Sequence, residues 1–227
     1  EIRLSLVGSE MCIRDRQKTK PKTSSLRGLM KYPREVAIVV GLTAGGTAAF
    51  YTFTTYMQTF VRQTSGFTDI TTTYIIAASL IFALILQPLY GALSDKIGRK
   101  PLLIFFGVAG AALTVPILMT LSNTRSPFIA FLLICGAWVF TAGYTSINAV
   151  VKAELFPTNI RATGVAVPYA VTVSIFGGTA PAIALFFKQQ GHEAWFYYYL
   201  AGVIFLSLLV YATMRDTKHQ SAMHRHD

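Results

Sequence analysis

Asp95, Lys96, Arg99 and Lys100 crowd into the stretch GALSDKIGRKP, which runs from Gly91 to Pro101. A second charged pair, Glu154 and Arg161, lies in ELFPTNIRATG, from Glu154 to Gly164. Acids and bases on short turns do electrostatic work: they pair, and they can exchange partners between two packed states. The charges suit two cross-loop pairs, Asp95 with Arg161 and Arg99 with Glu154, that would latch one side of the molecule. Solvated surface pairs of little energetic weight are the alternative.

The remaining polar chemistry lies inside apolar runs. Tyr51, Thr55, Gln58 and Arg62 recur at i, i+4, i+7 and i+11, one face of an ideal α-helix. Tyr144 and Asn148 are one turn apart, and Lys152 continues that face at the end of its run. Tyr169 and Thr172 fall near Pro168. Hydroxyl and amide donors of this kind can receive the carboxylate oxygens of a small acid, which makes Tyr51, Thr55, Gln58, Tyr144, Asn148 and Tyr169 the candidate substrate-binding residues. Hydroxyls also glue membrane helices together or bond back to the preceding turn, and that reading stays open. No Asp, Glu, Lys, Arg or His stands mid-run, so a titratable group and a pathway cation are expected outside these six runs. No nucleophile with a base, metal cluster or phosphate loop is visible. The expectation is a protein that is not an enzyme and has no cofactor or metal.

These groups need rigid elements to hold them. The chain has 227 residues, 53% hydrophobic and 13% charged, against about 25% charged in a soluble domain. The charge collects between six apolar runs, at 36–60, 70–93, 102–121, 128–151, 162–187 and 195–214. Each is about long enough to cross a ~30 Å hydrocarbon core as a helix, the state that leaves no backbone group unpaired in lipid. The fold class expected is an all-α membrane protein with six transmembrane helices over residues 35–214. The net charge of +10 then marks loops and gives no reason to expect nucleic acid. Fourteen basic residues fall on one set of alternate segments, Lys96, Lys100 and Lys152 among them, and three (Arg62, Arg125 and Lys188) on the other. The positive-inside rule places both ends in the cytoplasm, and the Trp195–Tyr199 aromatics at the outer interface. Residues 1–16 read as a foreign, adapter-derived segment that matches no targeting pattern. Residues 17–34 read as a basic cytoplasmic loop and 215–227 as a cytoplasmic tail. Cys12 and Cys135 form no disulfide framework.

GALSDKIGRK resembles the loop signature of the major facilitator superfamily. Glu154 and Arg161 resemble the facing Glu-x6-Arg pattern. Together with AAFYTFTTYMQTFV, the YTSI run at Tyr144 and FGG at Phe176, they make residues 30–214 similar to its metabolite:proton symporter branch. The resemblance implies twelve helices in two halves, this chain being the C-terminal half, with helices seven to twelve, and its partner an N-terminal six-helix half. It implies alternating access in a bacterial inner membrane, with a proton as the coupling ion. The substrate implied is a small organic acid such as 2-oxoglutarate, or alternatively another organic acid or a zwitterionic osmolyte such as betaine or proline. A membrane sensor or scaffold, or an inactive fragment, is the reading from another class.

Overall fold

The structure, a computed structural model, describes residues 29–157 and 160–214. The adapter-like start, most of the basic loop, the tail, and Thr158 and Asn159 (read as possible helix caps) lie outside the described residues. Among those described, every regular element is helical. Six helices are long and apolar enough to cross a membrane: α1 (Pro33–Gln63), α2 (Asp69–Ile97), α3 (Lys100–Asn123), α4 (Pro127–Leu155), α5 (Arg161–Gln189) and α6 (Ala194–Thr213). They coincide with the six apolar runs to within a few residues.

Local chemistry sets the ends. Pro33 opens α1 with Glu35 in the first turn, where a missing N–H costs nothing and a negative charge meets the helix dipole. Thr68 caps α2 by accepting from Thr71 N. Gly98 ends α2 at φ +98°, a conformation that favours glycine, and so turns the chain into α3.

α6 packs between α1 and α3, α4 lies on α2 and α3, and α5 leans on α1. At the α1–α6 seam glycine replaces side-chain interdigitation. A Cβ on Gly45 would stand 2.8 Å from Ile204 Cα and 2.9 Å from Val203 O. Ser207 Oγ donates to Gly41 O at 2.6 Å and accepts from Gly45 N at 2.8 Å, spanning one turn of α1. Tyr211 Oη donates to Leu42 O at 3.0 Å. Small residues that let backbones touch are the usual basis of helix association in lipid. Gly91 behaves otherwise: a Cβ there would meet nothing within 4 Å.

Three of the long helices are not regular throughout. α1 widens into a π turn at Thr52–Tyr56, and α5 does so at Val173–Gly177, where Gly178 N–H reaches back five residues to Val173 O at 2.9 Å. Hydroxyl back-bonds flank both turns: Thr52 to Ala48 O and Thr54 to Phe50 O in α1, Thr172 to Pro168 O and Ser174 to Ala170 O in α5. Such bonds compete for the carbonyls that the next N–H groups would use. α4 breaks after Thr145 and resumes at Asn148. The π turn in α5 ends at the Gly177-Gly178 pair, just before Pro181, whereas the π turn in α1 and the break in α4 carry no proline.

Gly177 seats the α5 π turn against α1, where a Cβ would fall 2.6 Å from Thr47 Cγ2 and 2.7 Å from the Tyr51 ring. Gly177→Val is expected to destabilise the protein by about 1–3 kcal/mol through overpacking, read as a lower melting temperature in detergent. An unchanged melting point would mean that α5 does not sit this close to α1.

Candidate functional site

The charged turn after α2 and the end of α4 meet. Arg99 Nη1 donates to Asp95 Oδ1 and to Ser94 Oγ, each at 2.7 Å, and Arg99 Nη2 lies 3.8 Å from Glu154 Oε1. The Arg99 and Glu154 side chains are 14% and 10% exposed, that of Asp95 70%. The Arg99–Glu154 contact is therefore formed, while Asp95 is taken by Arg99, one turn along the same loop, instead of Arg161. Arg161 Nε donates to Phe156 O at 3.3 Å. Its Nη2 is buried without a hydrogen-bond partner among the described residues. Local reach decides the difference: four residues along a helix end bring Asp95 and Arg99 together whatever the rest of the bundle does.

The expected polar face of α1 lies along the less buried side of that helix. Tyr51 is half-buried against Gly177, whereas Thr55 and Gln58 are exposed. The i, i+4, i+7 alignment presumes α geometry, and the π turn that contains Thr55 changes the angular spacing. Within the Trp195–Tyr199 cluster, Phe196 and Tyr197 turn inward onto Tyr56 and Phe60, with ring centroids 5.4 and 5.9 Å apart. Trp195 and Tyr198 remain exposed.

The other candidates converge between α4 and α5. Tyr144 is buried beside Gly46, whose Cβ would overlap its ring. Asn148 Nδ2 donates to Thr145 O at 2.8 Å, satisfying a carbonyl that the break in α4 frees, and its Oδ1 accepts from Lys152 Nζ at 3.0 Å. Lys152 Nζ also stands 3.9 Å from the Tyr169 ring centroid and 5.9 Å from that of Tyr144. Thr145 Oγ1 and the Gln87 side-chain amide bond each other, which extends the polar track to α2. The sequence places Lys152 among the loop cations and no charge in the middle of a span. Lys152 is instead 2% exposed inside α4. Gln87, Thr145 and Lys152 were missed as site residues; the signal was Gln87 beside Pro88, and Lys152 continuing the Tyr144–Asn148 face.

At the far end of the bundle Glu193 ties three helices. Its Oε1 accepts from Thr64 Oγ1 at 2.6 Å and Tyr56 Oη at 3.4 Å, with Lys188 Nζ at 3.9 Å. Lys188 Nζ donates to Thr64 Oγ1 at 2.7 Å. Glu193→Ala strands these partners, at about 1–3 kcal/mol for each buried group left unsatisfied. A lower melting temperature is expected, and a melting curve superimposable on wild type would show that the knot is not formed.

The Major Facilitator Superfamily family model matches residues 15–225. Over 189 residues the chain is 43% identical to "Alpha-ketoglutarate permease" of Escherichia coli (strain K12), covering 83% of this chain and 44% of that one. It is 28% identical over 201 residues to "Proline/betaine transporter" of the same organism, covering 88% and 40%. It is 32% identical over 142 residues to "Citrate-proton symporter" of Klebsiella pneumoniae, covering 61% and 31%. The chain thus spans less than half the length of these curated relatives. No solved structure matches. A family match over nearly the whole chain, on six apolar helices, leaves one conclusion: this is a multi-pass membrane protein that belongs to the major facilitator superfamily, a family of transporters.

Proposed function

We propose that this chain acts as the C-terminal, six-helix half of a proton-coupled carrier that moves a small organic acid such as 2-oxoglutarate by alternating access. Both ends face the cytoplasm of a bacterial inner membrane, and an N-terminal six-helix half completes the pathway. The observation that carries the reading is the Asp95–Arg99–Glu154 cluster with Arg161 beyond it. It joins the α2–α3 turn to the end of α4 and leaves a buried guanidinium nitrogen open to a new partner. Such a set can hold one packed state and release it by exchanging partners. The organic acid follows from the 43% identity to a protein named for α-ketoglutarate. The 28% identity to a proline/betaine transporter supports a zwitterionic osmolyte as the second reading. Candidate contacts to the substrate are Tyr51, Thr55, Gln58, Tyr144, Asn148 and Tyr169.

The test is uptake by the full-length protein in liposomes, with labelled 2-oxoglutarate and glycine betaine compared under an imposed pH gradient. Acid uptake that collapses when the gradient is dissipated is expected. Betaine uptake alone would select the second reading, and acid uptake indifferent to the gradient would remove proton coupling.

A further inference from the structure

Among the described residues, Lys152 is a cation near the candidate site whose formal charge has no evident structural use. Its ammonium is withdrawn from water, yet among the described residues no carboxylate lies within 4 Å of it. Lysine near a helix end ordinarily threads its charge out to the interface. Here Nζ turns inward and is held by the Asn148 carbonyl oxygen and the faces of two tyrosine rings. Those contacts orient a cation and offset part of its desolvation without neutralising it. An ammonium has three donors. One is committed to Asn148, and the aromatic faces engage the charge without accepting a conventional hydrogen bond.

The surroundings are built to present that charge. Asn148 is itself fixed by its bond to Thr145 O at the break in α4. Tyr144 is wedged against Gly46. Tyr169, by contrast, is 40% exposed and stands only four residues before the π turn of α5. Its ring covers the ammonium from the open side, so a rotation of Tyr169 uncovers Nζ while Asn148 and Tyr144 keep it in place.

We propose that Lys152 is the residue that receives a carboxylate of the transported acid, with Asn148 and Tyr144 positioning it and Tyr169 as its cover. This rests on the organic-acid reading above and adds to it the group that selects anions over zwitterions. A carboxylate side chain from another part of the transporter has the same chemistry, and the experiment separates the two sources.

The full-length protein, purified in detergent, is compared with Lys152→Met and Lys152→Arg variants. Equilibrium binding of labelled 2-oxoglutarate and of glycine betaine is measured together with melting temperature in the absence of either. Lys152→Met is expected to weaken 2-oxoglutarate binding by about tenfold or more, and Lys152→Arg to restore most of it. Ligand-free Lys152→Met is expected to melt no lower than wild type, because it removes a buried charge that lacks a counter-charge. A lysine that only glues α4 to α5 predicts the opposite sign. Unchanged acid binding by Lys152→Met, with wild type still binding, overturns the assignment and leaves the organic-acid reading standing. A lower melting point with acid and betaine binding lost alike assigns Lys152 to a carboxylate of the protein and also overturns it. Failure of wild type to bind any acid refutes both readings together.

Discussion

Gly45→Val is expected to abolish the folded protein: no monodisperse peak in mild detergent and little material in the membrane. The added Cβ would fall 2.8 Å from Ile204 Cα and 2.9 Å from Val203 O. Both are backbone atoms, so neither can rotate away, and α1 and α6 have to separate. Separation also breaks the Ser207 bridge to Gly41 O and Gly45 N and the bond from Tyr211 to Leu42 O. Overpacking of about 1–3 kcal/mol thus adds to hydrogen bonds of about 0.5–1.5 kcal/mol each. The control is Gly202→Ala, on α6 itself, where a Cβ meets nothing within 4 Å; that variant is expected to behave as wild type. Equal behaviour of the two variants would refute the seam.

Glu154→Ala and Asp95→Asn should differ in the same way that their burial differs. Glu154 lies in a largely buried contact with Arg99, and removing it leaves a buried guanidinium with less counter-charge; because Asp95 stays 2.7 Å from Arg99, the loss falls below the about 3–5 kcal/mol of a buried pair broken outright. Asp95 is mostly exposed, and its pairing contributes about 0–1 kcal/mol. The expected result is a clear drop in melting temperature for Glu154→Ala and almost none for Asp95→Asn. Uptake should fall severalfold or more in both if partner exchange at this cluster gates access. Full uptake by Asp95→Asn would remove Asp95 from the gate, and equal melting shifts would refute the burial argument.

The six spans were legible because hydropathy over twenty-odd residues is a property of the sequence itself. The reversal at Gly98 follows for a similar reason: a charged glycine-containing stretch between two spans has to turn the chain. Partner choice was less legible. The sequence pairs Asp95 with Arg161, whereas the placement of Arg99 one turn away gives Asp95 a nearer partner. The face of Tyr51, Thr55 and Gln58 was drawn on a regular helix, and threonine back-bonding at Thr52 and Thr54 accompanies a different geometry. Lys152 was read as a loop cation because lysine at a span's end usually is one; its inward turn depends on Asn148 and Tyr169, which belong to different helices.

The widened turn at Thr52–Tyr56 also bears on how the sequence can change length. A turn of this kind holds one residue more than its neighbours need. Losing a single residue there would let α1 close into an ordinary helix while Gly45 keeps its seat on α6 and Phe60 keeps its place beside Tyr197. The same loss within the regular stretch before Tyr51 would rotate everything downstream by about 100°. Single-codon deletions should therefore survive selection in this short window and be purged on its N-terminal side.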